Sequence, residues 1–261
     1  MKKIRRWITQ FDQYKPLMRE LVVRDLKVKY RRSFLGYLWS LLNPLLMMTV
    51  MTVVFSYMFR FDIPNYPLYL ICGQTLWTFF NESTSVAMHS VLLNGSLIRK
   101  VYVPKYIFPI SRVLSSFVTM SFSLVAILIV MVVTGVSFSW KMLLIPIPLF
   151  FLLIFCVGMG MILSSLSVYF RDIVHLYSVL TMAWMYVTPI FYPVSALPEK
   201  VAVLLNVNPM YHYINFFREL VLNAQIPDIG VWISSGMFSI LVFAVGVYVF
   251  LKLQKNFILH I

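Results

Sequence analysis

The chain has 261 residues, of which 61% are hydrophobic and only 12% are charged, and its mean hydropathy is +0.84. A soluble domain carries about 25% charged residues, so this composition excludes an ordinary soluble protein and predicts an integral membrane protein. The formal net charge of +13 fits nucleic-acid binding, anionic-lipid binding or membrane topology, and its distribution along the chain has to decide among them.

A basic segment passes into an apolar one at Ser33 to Gly36, and lysine or arginine cannot enter hydrocarbon cheaply. This junction predicts a membrane surface, with the basic side facing the cytoplasm. Residues 1–36 are therefore predicted to form a cytoplasmic N-terminal segment, and residues 37–261 a transmembrane domain. Met1 to Gln13 lacks the apolar core of a signal peptide, so insertion is expected to use the first spanning helix.

Residues 16–32 are predicted to form an amphipathic helix on the membrane surface, with Pro16 at its first position. Its polar half carries the basic side chains Arg24, Lys27 and Arg31. Asp25, Lys29 and Arg32 intrude on its apolar half. The pattern fits a basic anchor held by anionic lipid, and it equally fits a lever that touches a cytoplasmic partner.

Six membrane-crossing segments are predicted, long enough for a hydrocarbon core of about 30 Å. They cover residues 37–59, 68–92, 110–134, 142–168, 176–193 and 230–251. Pro44 interrupts the first of them and frees a carbonyl one turn earlier, so that face should pack against protein or line a polar path. In the fourth, Gly158, Gly160 and Ser164 are predicted to permit close helix contact.

Residues 194–227 are moderately apolar, but prolines divide them into two pieces that are too short to cross. A pair of short helices is predicted, entering the outer leaflet and returning, with Asn208 as the cap of the second helix. The predicted fold is thus an all-α integral membrane protein with six transmembrane helices, an N-terminal interface helix and an outer re-entrant pair between spans five and six.

Polar residues interrupt the second span, where Asn81 and Glu82 lie in its inner half. A glutamate inside the membrane predicts a functional site, and a structural ion pair is the alternative. Arg112, at the start of the third span, is the predicted partner because it lies at a similar depth.

The first internal loop is predicted at residues 94–108, and it is short and basic. Pro104 and Pro109 bound its far side, and a two-turn helix is predicted over residues 97–106. Such a segment is either an ordinary positively charged loop or a rigid helix that docks on a cytoplasmic partner.

Eighteen of the 22 lysines and arginines fall on the side that carries both termini when the chain crosses six times. The positive-inside rule then places both termini in the cytoplasm. This asymmetry accounts for the net positive charge without any nucleic-acid partner.

Residues that could carry catalysis are scattered along the chain, and no catalytic, cofactor or metal site is predicted. The histidines occupy different loops and depths: His89, His175, His212 and His260. The Gly-x-x-x-x-Gly-Lys phosphate loop is missing, so nucleotide energy must come from another polypeptide. Cys72 and Cys156 are predicted to be buried small hydrophobes rather than a redox pair.

Four separated motifs run through nearly the whole chain. They are Arg24-Asp-x-Lys-x-Lys-Tyr continuing to Asn43-Pro44, Tyr169-Phe-Arg-Asp-Ile, Thr188-Pro-Ile-Phe-Tyr-Pro193, and Asn208-Pro-Met with Phe217-Arg-Glu. These motifs resemble the membrane subunit of type-2 ATP-binding-cassette exporters. Within that family the chain looks most like the polysaccharide branch, the Wzm and teichoic-acid permeases.

The resemblance implies a homodimer that works with two copies of a cytoplasmic ABC ATPase. The complex would export a lipid-linked polysaccharide through the bacterial inner membrane, and O-antigen is the expected cargo. This chain would then be a transporter subunit without enzymatic activity or cofactor, because ATP and magnesium would bind to the ATPase. The interface helix and the loop helix would contact that partner. The loop contacts would be Arg99, Lys100, Tyr102 and Lys105.

In this family the first and fifth spans line the conduit. Six aromatic side chains would therefore lie at or near the sugar path: Trp39, Tyr177, Trp184, Tyr186, Phe191 and Tyr192. Aromatic faces would give a sliding polymer many weak contacts, and aromatic packing between helices is the alternative. The broken segment 194–227 would gate the exit.

Other functions remain as alternatives. A type-2 permease could carry a teichoic acid, a capsule polymer, a drug or a lipid instead. A membrane-embedded enzyme that acts on polyprenyl-phosphate sugars would need acids, histidines or arginines clustered at one interface, whereas this chain spreads them out.

Overall fold

The computed structural model describes residues 2–31, 34–58 and 63–260, and within these ranges every regular element is helical. The α-helices are α1 (Lys2–Tyr30), α2 (Trp39–Met58), α3 (Tyr66–Leu93), α4 (Gly95–Lys100), α5 (Ile107–Thr134), α6 (Pro146–Tyr169), α7 (Ile173–Val187), α8 (Glu199–Leu205), α9 (Pro209–Val221), α10 (Ile229–Leu253) and α11 (Phe257–His260). Short 3-10 turns precede α2, α6, α8 and α11. The predicted all-α class is confirmed.

Helix α1 begins at Lys2, so the prediction that Pro16 opens the interface helix is wrong. A proline inside a helix costs about 3 kcal/mol, so Pro16 on its own favours a helix that starts there. Other contacts of α1 outweigh this cost. Met18 and Leu21, on the turn after the proline, are buried in a cluster with residues of α5 and α11. Tertiary packing of one helix face therefore sets the course of α1.

Four stretches are long and apolar enough to cross a membrane: Gly36–Ser56, Ile107–Thr134, Trp140–Tyr169 and Ile229–Leu259. They correspond to the first, third, fourth and sixth predicted spans. Helix α3 coincides with the second and has 28 residues, and at about 1.5 Å per residue it is also long enough to cross. Helix α3 is not among the four apolar stretches, because its polar side chains lower its mean hydropathy.

Helix α7, the predicted fifth span, ends at Val187 and has only 15 residues. At about 1.5 Å per residue it is too short for a full crossing. The predicted extension to Pro193 is wrong. Thr188 has extended backbone angles (φ −86°, ψ 128°), as expected for a residue that precedes a proline.

Helix α3 forms the centre of the bundle, with buried side chains on most of its faces. A β-carbon on Gly160 of α6 would lie 2.9 Å from the β-carbon of Ala87 on α3, and one on Gly158 would lie 2.7 Å from the backbone of Phe243 on α10. Ser164 is fully buried. The predicted close contacts of α6 are therefore confirmed, and they join it to two neighbours.

Segment 194–227 contains two short helices, α8 and α9, as predicted. The side chain of Asn208 accepts hydrogen bonds from the backbone N–H groups of Met210 (3.1 Å) and Tyr211 (3.4 Å), which confirms it as the cap of α9. Helix α9 buries one face against α3, α6 and α10.

The first internal loop contains α4, which begins and ends earlier than predicted. Helix α4 ends at Lys100, and the backbone of Val101 is extended (φ −133°, ψ 138°). The predicted helix over residues 97–106 is thus wrong in its second half. Two β-branched residues, Val101 and Val103, and the proline that follows favour extended backbone there.

Candidate functional site

Two ion pairs fasten α1 to the helices that it packs against. Asp25 Oδ2 lies 3.0 Å from Arg112 Nη1 on α5, and Lys29 Nζ donates to Glu82 Oε1 on α3. Asp25 and Lys29 are four residues apart, so both project from the same face of α1. Their intrusion on the apolar half of the helix is explained by these partners inside the bundle.

The predicted pairing of Glu82 with Arg112 is wrong, because Arg112 pairs with Asp25 and Glu82 pairs with Lys29. Depth along the membrane helices could not reveal this exchange. Both partners come from α1, whose apolar face had been expected to meet lipid. The structural ion-pair alternative nevertheless describes Glu82 correctly.

Two adjoining cavities lie along these ion pairs between α1, α2, α3 and α5, and together they are here called the polar groove. Its first part, here called the α1 cavity, has a volume of about 520 Å³ and contains both ion pairs. Its second part, the α2 cavity, has a volume of about 350 Å³ and extends from Lys29 and Glu82 to Trp39 and Asn43. Lys29 and Glu82 line both cavities, so this ion pair lies on their common wall.

Most of the residues that line the α2 cavity are polar, although apolar atoms make up the larger share of its surface. Hydroxyl and amide side chains from three helices line it: Ser40, Asn43, Gln74, Thr75, Ser116 and Thr119. Pro44 also lines it, which agrees with the prediction that the interrupted face of the first span meets protein or a polar path. The polar side chains can donate hydrogen bonds to water or a hydroxylated ligand and accept them from it.

Reversing the charge of Lys29 is expected to destabilise the protein modestly. The Lys29→Glu variant places two carboxylates opposite each other, and the loss should be about 1 kcal/mol because both side chains are more than a third exposed. Exchanging the charges in Lys29→Glu/Glu82→Lys should restore the stability. Thermal unfolding in detergent measures both.

Lys27→Glu is the matched control for this experiment, since Lys27 is exposed on the other side of α1. Its melting temperature should equal that of the wild type. If the exchanged pair melts no higher than Lys29→Glu alone, the two side chains do not interact in solution.

Arg218 on α9 was not singled out as a site residue from the sequence, although it lies in one of the four motifs. Its guanidinium is buried and donates to the carbonyl oxygens of Tyr69 (3.0 and 3.3 Å), Pro189 (2.8 Å) and Ile190 (3.0 Å). It also lies 3.4 Å from the centre of the Tyr69 ring. Arg218 therefore joins α9 and α3 to the non-helical chain that follows α7.

Among the described residues, the carboxylates in ion pairs are Asp25 and Glu82, and their partners are Arg24, Arg112 and Lys29. Neither carboxylate pairs with Arg218. Asn208 makes a second connection in the same region. Its side chain donates to Thr188 Oγ1 (2.9 Å) and accepts from Trp184 Nε1 (2.8 Å). The cap of α9 is thus also bonded to the end of α7.

The six aromatic residues that are predicted to line the sugar path have different surroundings. Tyr177 is buried and donates to Thr84 Oγ1 (2.7 Å), and Trp184 packs edge-on against the Phe80 ring. Phe191 stacks on Phe55, and the Tyr192 hydroxyl donates to the Tyr186 carbonyl. Packing inside the bundle therefore describes Tyr177 and Trp184, and ring stacking describes Phe191, whereas Trp39 and Tyr186 expose their rings.

The predicted coupling residues also differ in their surroundings. Arg99, Lys100 and Tyr102 are exposed at the end of α4 and just beyond it, as are Lys27 on α1 and Arg31 just after it, whereas Arg24 bonds the neighbouring Asp25. Lys105 instead donates to the Gln254 carbonyl (2.6 Å) and lies over the Phe257 ring. Desolvation by burial lowers the pKa of the Lys105 ammonium. Lys105 therefore attaches the loop to the chain's own C-terminal segment.

Asn81 lies on a different side of α3 from Glu82. It lines a third cavity of about 350 Å³ between α3 and α7, together with His89 and Tyr177. Cys72 and Cys156 are fully buried and free, as predicted. Across the described ranges, no three His, Cys, Asp or Glu side chains meet as metal ligands.

Comparison with known proteins gives matches over most of the chain. Residues 16–222 match the model of the ABC-2 type transporter family. An O-antigen export system permease protein RfbA of Klebsiella pneumoniae is 33% identical over 240 residues, which cover 90% of each chain. The RfbA protein of Myxococcus xanthus is 32% identical over 225 residues, covering 85% of this chain and 86% of the relative.

A more distant group of relatives has a related description. The capsule polysaccharide export inner-membrane protein CtrC of Neisseria meningitidis is 25% identical over 209 residues, 76% of each chain. Similarity of this kind therefore extends across exporters that are named for different surface polymers.

Proposed function

This chain belongs to the ABC-2 type transporter family, and we propose that it is the permease subunit of an ATP-driven polysaccharide exporter. The cargo would be a lipid-linked polysaccharide of the O-antigen class, moved outward across the bacterial cytoplasmic membrane. The observation that carries this proposal is the 32 to 33% identity to O-antigen export permeases over 85 to 90% of the chain.

The proposed topology has six crossings, with both termini in the cytoplasm. Helix α3 provides the second crossing, and α7 with the extended chain after it provides the fifth. Helices α8 and α9 form a re-entrant pair at the outer face, shielded by protein. The distribution of lysine and arginine supports this orientation, because eighteen of the 22 fall on the inner side.

The energy would come from a separate ATPase, with two permease and two ATPase subunits in the complex. Helices α1 and α4 would contact the ATPase, because they carry exposed basic side chains at the inner face. ATP and magnesium would bind to the ATPase and not to this chain. Movement of α1 would reach the membrane helices through Asp25 and Lys29, whose partners lie on α5 and α3.

The conduit would lie along α2 and α7, where Trp39 and Tyr186 present exposed aromatic rings. Aromatic faces attract the C–H surfaces of sugars without a deep energy well, which suits a polymer that has to slide. Phe191 and Tyr192 would shape the outer end near the proposed exit gate.

Reversing two charges in α4 is expected to weaken binding of the ATPase. Arg99→Glu/Lys100→Glu should lower co-purification of the ATPase by about tenfold or more, since contacts to charged groups are each worth about 1.5–3 kcal/mol. The folded yield should not change, because both side chains are exposed. The matched control is Lys200→Glu, an exposed lysine near the proposed outer face.

Lys105 is left intact in this test, because its reversal would break the bond to Gln254 and disturb the fold. Wild-type amounts of ATPase with the doubly reversed protein would show that α4 is not the docking element.

Deletion of the gene for this chain tests the proposed function in cells. Lipid-linked polymer should accumulate at the cytoplasmic side, surface polymer should disappear, and the wild-type chain should restore it. Chemical analysis of the accumulated polymer separates O-antigen from capsule, the alternative that the CtrC relatives favour. An unchanged surface would argue against export of either polymer.

A further inference from the structure

The geometry of the polar groove points to a site that the exporter assignment does not include. We propose that the α2 cavity binds one or two sugar units, and that the Lys29–Glu82 ion pair is a latch between it and the α1 cavity. This inference rests on the proposed polysaccharide cargo, and it adds a binding site within a single protomer.

Buried polar atoms without partners point to a ligand in the α2 cavity. Thr75 is only 4% exposed and lines the cavity, and its Oγ1 has no hydrogen-bond partner among the described residues. Gln74, the preceding residue, also lines the cavity, and its buried Oε1 has no hydrogen-bond partner among the described residues. Buried polar groups are almost always hydrogen-bonded, and a polar molecule in the cavity would provide the missing partner for both of these adjacent atoms.

The chemistry of the remaining walls fits a sugar. Hydroxyl and amide side chains can both donate to and accept from sugar hydroxyl groups. Trp39 is exposed at the same cavity and offers an aromatic face to the C–H surface of a sugar ring. The cavity volume of about 350 Å³ lies at the lower end of ordinary ligand pockets.

The two ion pairs differ in burial, and the difference identifies the latch. The side chains of Asp25 and Arg112 are 8% and 20% exposed, whereas those of Lys29 and Glu82 are 39% and 34% exposed. Solvent screening weakens the more exposed pair, so it opens more easily. A tilt of α1 about the Asp25–Arg112 contact would separate Lys29 from Glu82 and join the two cavities.

Thr75→Val tests the binding site. Valine keeps the shape of threonine, and no hydrogen bond of the described chain is lost, so folded yield and ATPase binding should match the wild type. Export should fall about three- to tenfold if one hydrogen bond to the sugar is lost. Thr49→Val is the matched control on α2, because Thr49 bonds only its own helix and does not line the cavity.

Export by Thr75→Val at the wild-type rate would overturn the binding site. A loss of dimer on size-exclusion chromatography would also overturn it, since a second copy of the chain would then fill the cavity. Trp39→Ala should lower export further, and Trp39→Phe should recover part of it because an aromatic face remains.

A reversible cross-link tests the latch. Lys29→Cys/Glu82→Cys is joined in membranes by a bifunctional methanethiosulfonate reagent, while the buried Cys72 and Cys156 stay unreactive. Export should stop on cross-linking and return on reduction, whereas the reagent should not change the rate of export that each single cysteine variant shows before treatment. Undiminished export by the cross-linked protein would overturn the latch.

The wild-type chain is assayed in parallel in both experiments. If it fails to restore surface polymer to the deletion strain, the proposed function itself is wrong. If the wild-type chain restores export, and the cavity and latch variants export as well as their controls do, the proposed function stands and the groove has no role in it.

Discussion

Replacing Arg218 by methionine is expected to lower the free energy of unfolding by about 3 kcal/mol or more and to abolish export. Methionine fills much of the same volume but removes all four hydrogen bonds that the guanidinium donates, and it leaves the Ile190 carbonyl without that donor in a buried region. A hydrogen bond to a charged group is worth about 1.5–3 kcal/mol, so the loss of four should reach about 3 kcal/mol even though the Pro189 carbonyl keeps the Tyr69 hydroxyl as a donor.

The consequence for export follows from what Arg218 joins. It holds the chain after α7 against α9 and α3, so its loss should free the proposed exit gate from the bundle. Arg218→Lys should be intermediate, since an ammonium keeps the charge but cannot match the planar fork of the guanidinium. Thermal unfolding in detergent and surface polymer in the deletion strain measure the two effects.

Arg171→Met is the control for this substitution, because Arg171 is exposed in the turn before α7. Its stability should stay within about 0.5 kcal/mol of the wild type. Equal melting temperatures for Arg218→Met and Arg171→Met would mean that the bonds of Arg218 do not hold this region together.

The second large effect is expected from Gly246→Ala, at the crossing of α6 and α10. A β-carbon at this position would lie 2.4 Å from the carbonyl oxygen of Gly158, and that backbone atom cannot move away by changing a rotamer. The two helices would have to separate, which should cost about 3 kcal/mol. Thermal unfolding in detergent measures the loss.

Gly236→Ala provides a matched control on the same helix. Its β-carbon would meet only the Phe151 ring, at 3.7 Å, which is ordinary contact. Because alanine favours helix over glycine by about 0.5–1 kcal/mol, this variant should be as stable as the wild type or slightly more stable. Equal destabilisation by both substitutions would refute the close crossing.

The long apolar helices could be predicted from the sequence because burial in lipid needs length and hydropathy, and both are local properties. The first, third, fourth and sixth predicted spans lie within a few residues of α2, α5, α6 and α10. The cap at Asn208 was also predictable, since an asparagine followed by proline satisfies the first turn of a helix.

The partners of charged side chains could not be predicted, because they depend on how separate helices meet. Asp25 and Lys29 looked like defects of an amphipathic helix, yet each meets an opposite charge in the bundle. Arg218 gave only a weak signal, a lone arginine on an amphipathic helix. Its role depends on carbonyl groups distant in sequence, at residues 69 and 189–190.

The outcome for the aromatic residues has the same cause. Tyr177 and Trp184 are residue types that suit a sugar path, but the packing of α7 against α3 directs their side chains towards the inside of the bundle. Composition identifies which side chains could contact a sugar. Only the packing of α7 decides which of them remain exposed, as Tyr186 does.

Transport in inverted membrane vesicles tests the central claim most directly. In such vesicles the cytoplasmic face and the ATPase point outward, so lipid-linked polysaccharide starts accessible to an added glycosidase. With this chain and its ATPase present, ATP should make the polymer resistant to the enzyme as it enters the lumen. Polymer that stays digestible with ATP, or becomes resistant without this chain, would contradict the account.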